Sequence, residues 1–178
     1  MHASRAAMSG KRPFANTPAF YTALGWFYAV WSRTELAIDC AIWKASGTET
    51  AERAHERVAH TKFSDKCKHL RTLLDGGKIP NCEKAQDLLT WIEDQSMRNV
   101  FAHSFLATDE HSVTFIHRKV EGGKYQPTTY TIACDDFIDH VQNFVQLSLD
   151  FEQAVGLSDK EVRDFAAMAV PLAPQDGP

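Results

Sequence analysis

The sequence has no uninterrupted apolar run of the roughly 20 residues that a membrane-spanning helix takes, so no membrane partner is expected. Its four cysteines, Cys40, Cys67, Cys82 and Cys134, show no CxxC spacing. That spacing is the usual mark of structural zinc, and without it the expectation is buried thiols in a reducing cytosol. The paired glycines, Gly76–Gly77 and Gly122–Gly123, precede no helix with the lysine and hydroxyl of a phosphate-binding loop. A serine-nucleophile elbow is also missing, so P-loop hydrolysis, Rossmann-type hydride transfer and α/β-hydrolase chemistry find no support. AHERVAH misses the zinc-peptidase pattern, because His55 and His60 are five residues apart, about 140° around a helix. No cofactor and no metal are expected. A global excess of positive charge is absent too: the net charge is −4, and no overall field draws in nucleic acid. Residues 1–17 are basic but carry neither the apolar core nor the small-residue cleavage pattern of a secretory signal, and read as a flexible leader of a cytoplasmic protein.

What remains is globular. Of 178 residues, 44% are hydrophobic and 11% aromatic, enough for one core without disulfides. One domain is expected over 18–167, with a flexible tail at 168–178. Phe20, Leu24, Phe27, Trp31, Ile38 and Ile42 recur at helical spacing and predict a helix from about Phe20 to Lys44. Glu35 and Asp39 lie on that helix, and Glu35 falls within its apolar stripe. A carboxylate there has to reach solvent or meet a cation, because burying it alone is costly. A polar helix follows in GTETAERAHERVAH, then a helix bearing Phe63, Cys67, Leu70 and Leu74. DGGKIPN breaks the chain, and Asn81 is placed to cap a helix carrying Ala85, Leu88, Leu89 and Ile92 that leads into RNVFAHS.

After Leu106 the period falls to two. SVTFIHRKV and YQPTTYTI flank EGGK as a β-hairpin over about 112–132. Asp135 or Asp136 is expected to cap a long helix with Phe137, Val141, Phe144, Phe151 and Val155. Ser158 and Glu161 have the spacing of a capping box. The fold class these patterns predict is an all-α helical bundle of four to five helices with one inserted β-hairpin.

Basic residues cluster locally. Between Arg53 and Arg71 stand six cations and two acids, Glu56 and Asp65. Lys62, Lys66 and Arg71 in that stretch are candidate RNA contacts, as are Arg118 and Lys119 in the hairpin; a solvated helix face or turn is the alternative reading.

RNVFAHS, residues 98–104, concentrates the chemistry. Arginine offers a planar fork for phosphate, and histidine is the side chain suited to taking and giving a proton near neutral pH. A base that removes the proton of a ribose 2′-hydroxyl and a guanidinium that holds charge developing on phosphorus suffice for phosphodiester cleavage without metal. The alternative is structural: Arg98 and His103 at a helix end also satisfy free carbonyls and the macrodipole. Five positions separate them, about 140° on a continuous helix, so either the helix ends between them or a second chain completes the site.

Arg98, Asn99 and His103, an arginine, a polar residue and a histidine, resemble the signature of the HEPN superfamily of all-helical domains. AHS is close to the AHG often found there, and the acid-bearing ELAID lies upstream. The resemblance covers residues 18–156 in architecture; the hairpin departs from it. It implies catalytic roles for Arg98, Asn99 and His103, supporting roles for Glu35, Asp39 and Ser104 with Glu35 holding Arg98, and a homodimer with one composite active site. It further implies a metal-independent endoribonuclease of toxin–antitoxin, antiviral or RNA-processing systems, with RNA as substrate and an antitoxin or other regulatory protein as partner. The alternative is a catalytically inactive HEPN-like module that binds a nucleotide or partner protein.

Overall fold

The computed structural model describes residues 18–47, 50–109, 111–118 and 120–168. The expected leader, the tail beyond Met168 and the RNA contact expected at Lys119 lie outside them. Helix predominates, and no helix among the described residues is long and apolar enough to cross a membrane. The chain order is α1 (Pro18–Ser46), α2 (Ala51–Ala59), α3 (Phe63–Asp75), α4 (Cys82–Asp94), α5 (Arg98–His103), β1 (Ser104–Thr108), β2 (Ser112–His117), β3 (Val120–Glu121), β4 (Lys124–Tyr125), β5 (Thr128–Ala133), α6 (Cys134–Ala154) and α7 (Asp159–Met168). Seven helices among the described residues exceed the expected four to five. The described residues form two units, one of residues 18–24 and 98–140, the other of 25–97 and 141–168.

The first unit holds the sheet. β1, β2 and β5 pair antiparallel in the order β1-β2-β5, and β3 and β4 form a separate two-stranded ribbon around the EGGK turn. The hairpin is thus present as β2 and β5 with the ribbon at its tip. The helical pattern expected to reach Leu106 gives way at Ser104, and Ser104–Thr108 is a third strand. Its pattern is masked because RNVFAHS alone reads as the tail of the helix before it. Strand alternation sends Val113 and Phe115 inward, and both are buried. Phe115 lies 4.7 Å from Phe101 and 5.9 Å from Phe137 between ring centroids; Phe137 lies 4.8 Å from Phe20. These offset rings are the core of the unit.

The second unit is helical. Its centre is Phe144 of α6, 5.2 Å from Phe27, 6.1 Å from Trp31 and 6.2 Å from Trp91 between centroids. Phe165 of α7 stacks on Trp43 and on the His55 imidazole, whose Nε2 lies 2.7 Å from the Phe165 carbonyl oxygen. Arg33 binds both carboxylate oxygens of Glu152 at 2.6 Å, a bidentate pair that holds α1 to α6. Cys40 and Cys67 are buried free thiols, pushed up by burial to about 11 and about 12, so neither is a ready nucleophile. Cys134 is buried as well, while Cys82 is only half-buried.

Three caps were expected. Asn81 does precede α4, but its backbone is left-handed (φ 50°) and its side chain makes no capping bond. α6 starts at Cys134, so Asp135 and Asp136 fall in its first turn, where they face the positive end of the helix dipole rather than cap it. The box at α7 is formed: the Ser158 N–H and hydroxyl donate to Glu161 Oε2, and Ser158 Oγ accepts from the Glu161 N–H. Lys44 donates to the other oxygen of Glu161, and this bond together with the Ser158 bonds holds the carboxyl down at about 2, against an ordinary 4.5. A depressed carboxylate stabilises the fold fully above its unfolded value, and the gain vanishes as pH falls through the folded one. Glu161→Gln is therefore expected to remove a component of stability that the parent loses between about 4.5 and about 2, read from thermal melting midpoints across that range. Equal pH dependence of the two proteins would rule this out.

Candidate active site

The motif has a helix of its own. α4 ends at Asp94 with Gln95 as C-cap, and Met97 takes a left-handed backbone (φ 56°) that few non-glycine residues adopt. That residue breaks the helix expected to lead into RNVFAHS, and α5 restarts at Arg98. Phe101 anchors α5: it is buried, with its ring 4.7 Å from Phe115 and 5.2 Å from Phe137. Fixing Phe101 inward turns the opposite side of the short helix, with Asn99 and His103, outward. Asn99 and His103 are exposed, and Arg98 is half-buried.

Arg98 and His103 stand on one unbroken helix, about 140° apart, so the helix does not end between them. Asn99 and His103, four apart, share a face. Arg98 Nη1 donates to Asn99 Oδ1 at 3.0 Å, which draws the guanidinium toward that shared face. The arrangement can present a planar cation, an amide and an imidazole to one anionic substrate from the surface of the unit.

α5 runs directly into β1, and the first rung of the sheet pairs Ser104 with His117. Ser104 Oγ and His117 Nδ1 are 3.4 Å apart. A second imidazole therefore sits beside the motif. Sequence reasoning placed His117 among the hairpin charges, because the register that brings it to Ser104 depends on β1. Arg118, the next residue, lies with its guanidinium carbon 4.6 Å above the Phe105 ring.

The acid-bearing helix finds a different use in the second unit. Lys66 Nζ donates to Glu35 Oε1 at 3.0 Å and to Asp39 Oδ2 at 2.8 Å. Of the two outcomes open to a carboxylate on an apolar stripe, solvent or a partner charge, Glu35 meets a cation, and that cation is Lys66. Lys66 itself is buried, with 6% of its side chain exposed. It was expected among solvent-facing RNA contacts and is instead an internal counter-ion. Burial works to lower the Lys66 ammonium, but Asp39 and Glu35 outweigh it and hold the group above the ordinary lysine range. Arg71 pairs with Glu93 at 2.7 Å and reaches Thr90; Lys62 is exposed at the start of α3. Among the described residues no group of three or more His, Cys, Asp or Glu side chains could hold a metal. A cleft of about 290 Å³ lined by Ala41, Lys44, Lys78, Ile79, Pro80 and Gly156, among others, contains none of the motif.

Fold and site together define a mainly helical chain with a small antiparallel sheet and a basic and polar motif on the surface of its sheet-bearing unit. No family model, no curated protein and no solved structure matches the chain.

Proposed function

We propose that the protein is a cytoplasmic, metal-independent endoribonuclease of HEPN type. The observation that carries this reading is α5, where Asn99 and His103 are exposed on one face and the half-buried Arg98 donates to Asn99 Oδ1. The resemblance of RNVFAH to the HEPN signature supports it independently of that geometry.

In the proposed reaction His103 takes the proton of a ribose 2′-hydroxyl, and the freed oxygen attacks phosphorus. A bond from 2′-oxygen to phosphorus forms, the bond from phosphorus to 5′-oxygen breaks, and the leaving 5′-oxygen receives a proton from an acid. Arg98 holds the charge that builds on the phosphoryl oxygens, and Asn99 orients the guanidinium. His103 of a second copy is suited to be the acid, as the resemblance to the HEPN signature implies; the His117 imidazole beside Ser104 of the same chain is the alternative donor. A homodimer with a composite cleft supplies the former arrangement.

The test is incubation of the purified protein with mixed cellular RNA in EDTA and analysis of the product ends. Cleavage leaving 2′,3′-cyclic phosphates is expected. An intact protein that cuts no RNA under these conditions turns the reading to a module that binds a nucleotide or partner protein without catalysis.

A further inference from the structure

The face of the sheet turned away from the Phe101–Phe115–Phe137 core has no role in the chemistry above. Strand register puts Phe105 and Ala107 of β1, Thr114 and Ile116 of β2, and Thr129 and Thr131 of β5 on it. None of these is buried, none is charged, and the Phe105 ring is 58% exposed. A large apolar side chain left in water on a sheet needs a reason, and here it is capped by the exposed guanidinium of Arg118. The threonines give hydroxyls across the face, and Thr114 and Thr131 share a hydrogen bond of 3.1 Å.

Charge runs along the sheet. At the end where β1 begins, His103 precedes Phe105 by two residues, and Arg118 follows the Ser104–His117 rung. At the opposite end sits Asp109, held ionised well below the usual aspartate range by the His111 N–H and by the Ser112 hydroxyl and N–H. A polyanion lying on this face is drawn to the His103 end and repelled from the other.

We infer that the Phe105–Arg118 pair is a stacking shelf for an unpaired base, and that the substrate of the His103 site is single-stranded RNA. The inference rests on the ribonuclease reading and adds the form of its substrate. A base lies flat on the guanidinium plane that Phe105 supports, while the same cation meets the adjoining phosphate. Phe105 is two residues from His103, so the stacked nucleotide is at or beside the cleaved phosphate. A duplex cannot use the shelf, because its bases are already stacked on one another.

The probe is a short fluorescent 2′-O-methyl RNA, which lacks the attacking hydroxyl and reports binding without cleavage, offered single-stranded and as a duplex and followed by anisotropy. The parent is expected to bind the single strand at least tenfold more tightly than the duplex. Phe105→Leu, which keeps an apolar side chain and removes the ring, is expected to weaken single-strand binding roughly tenfold, Arg118→Ala similarly, and Phe105→Trp to retain it. Equal binding of strand and duplex, or a Phe105→Leu protein that binds as the parent does, overturns the shelf. So does a Phe105→Leu protein that changes only its oligomeric state in light scattering, which would make the face a contact between copies. If the parent binds single strands through Phe105 yet never cleaves RNA, the catalytic reading falls and single-strand recognition stands. If it cleaves RNA with no dependence on Phe105, the reverse holds.

Discussion

His103→Ala is expected to lower RNA cleavage by about 10²- to 10⁴-fold, the usual contribution of a positioned general acid or base, and further if both copies in a dimer lose their imidazole. The fold should survive, because His103 is an exposed residue at the end of α5, and the ring that anchors this helix is Phe101. Circular dichroism and the melting temperature should match the parent while the rate constant collapses. Arg98→Lys separates charge from shape. It keeps a cation but loses the planar fork, both for the bond to Asn99 Oδ1 and for two-point contact with a phosphoryl group. Cleavage well below the parent in Arg98→Lys, with binding of an uncleavable strand largely kept, would place the arginine at the transition state. Full activity of His103→Ala would remove the histidine from the mechanism.

The second large effect belongs to stability. Lys66→Ala leaves Asp39, 7% exposed, and the half-exposed Glu35 facing each other without a cation. Removing one partner of a buried ion pair costs about 3–5 kcal/mol, which for a chain of this size lowers the melting temperature by roughly 10 °C. The cost comes from the stranded carboxylate rather than from the lost attraction. Lys66→Met combined with Asp39→Leu should accordingly recover most of the loss, since an apolar pair needs no counter-ion, and Glu35 can turn to solvent. Melting of the single and double variants decides it. A single variant within about 2 °C of the parent, or a double variant less stable than the single one, would show that the triad does not carry this weight.

The readable parts of the fold were those where local pattern and tertiary demand agree. The stripe from Phe20 to Ile42 gave α1 within two or three residues, and Ser158 with Glu161 formed the expected box. EGGK turned the chain where glycines allow it. Misreadings arose where a long-range partner decided. RNVFAHS reads as the continuation of α4 but is a separate α5 that runs into β1, because nothing in QSMRNVFAHSFL announces a left-handed methionine or a strand that exists only when β2 lies beside it. Lys66 was read as a surface cation from its charge and its neighbours, yet its helix turns it inward.

By itself the sequence determined the mainly helical class and the place of the turn, because helical periodicity and glycine are local properties. It also showed that Glu35 would have to reach solvent or meet a cation. Only the tertiary structure decided that this cation is Lys66, that His117 stands beside Ser104, and that Arg118 lies over an exposed Phe105. Each of these joins residues 13 to 31 positions apart. Their meeting is fixed by strand register and core packing, which no single segment of the chain contains.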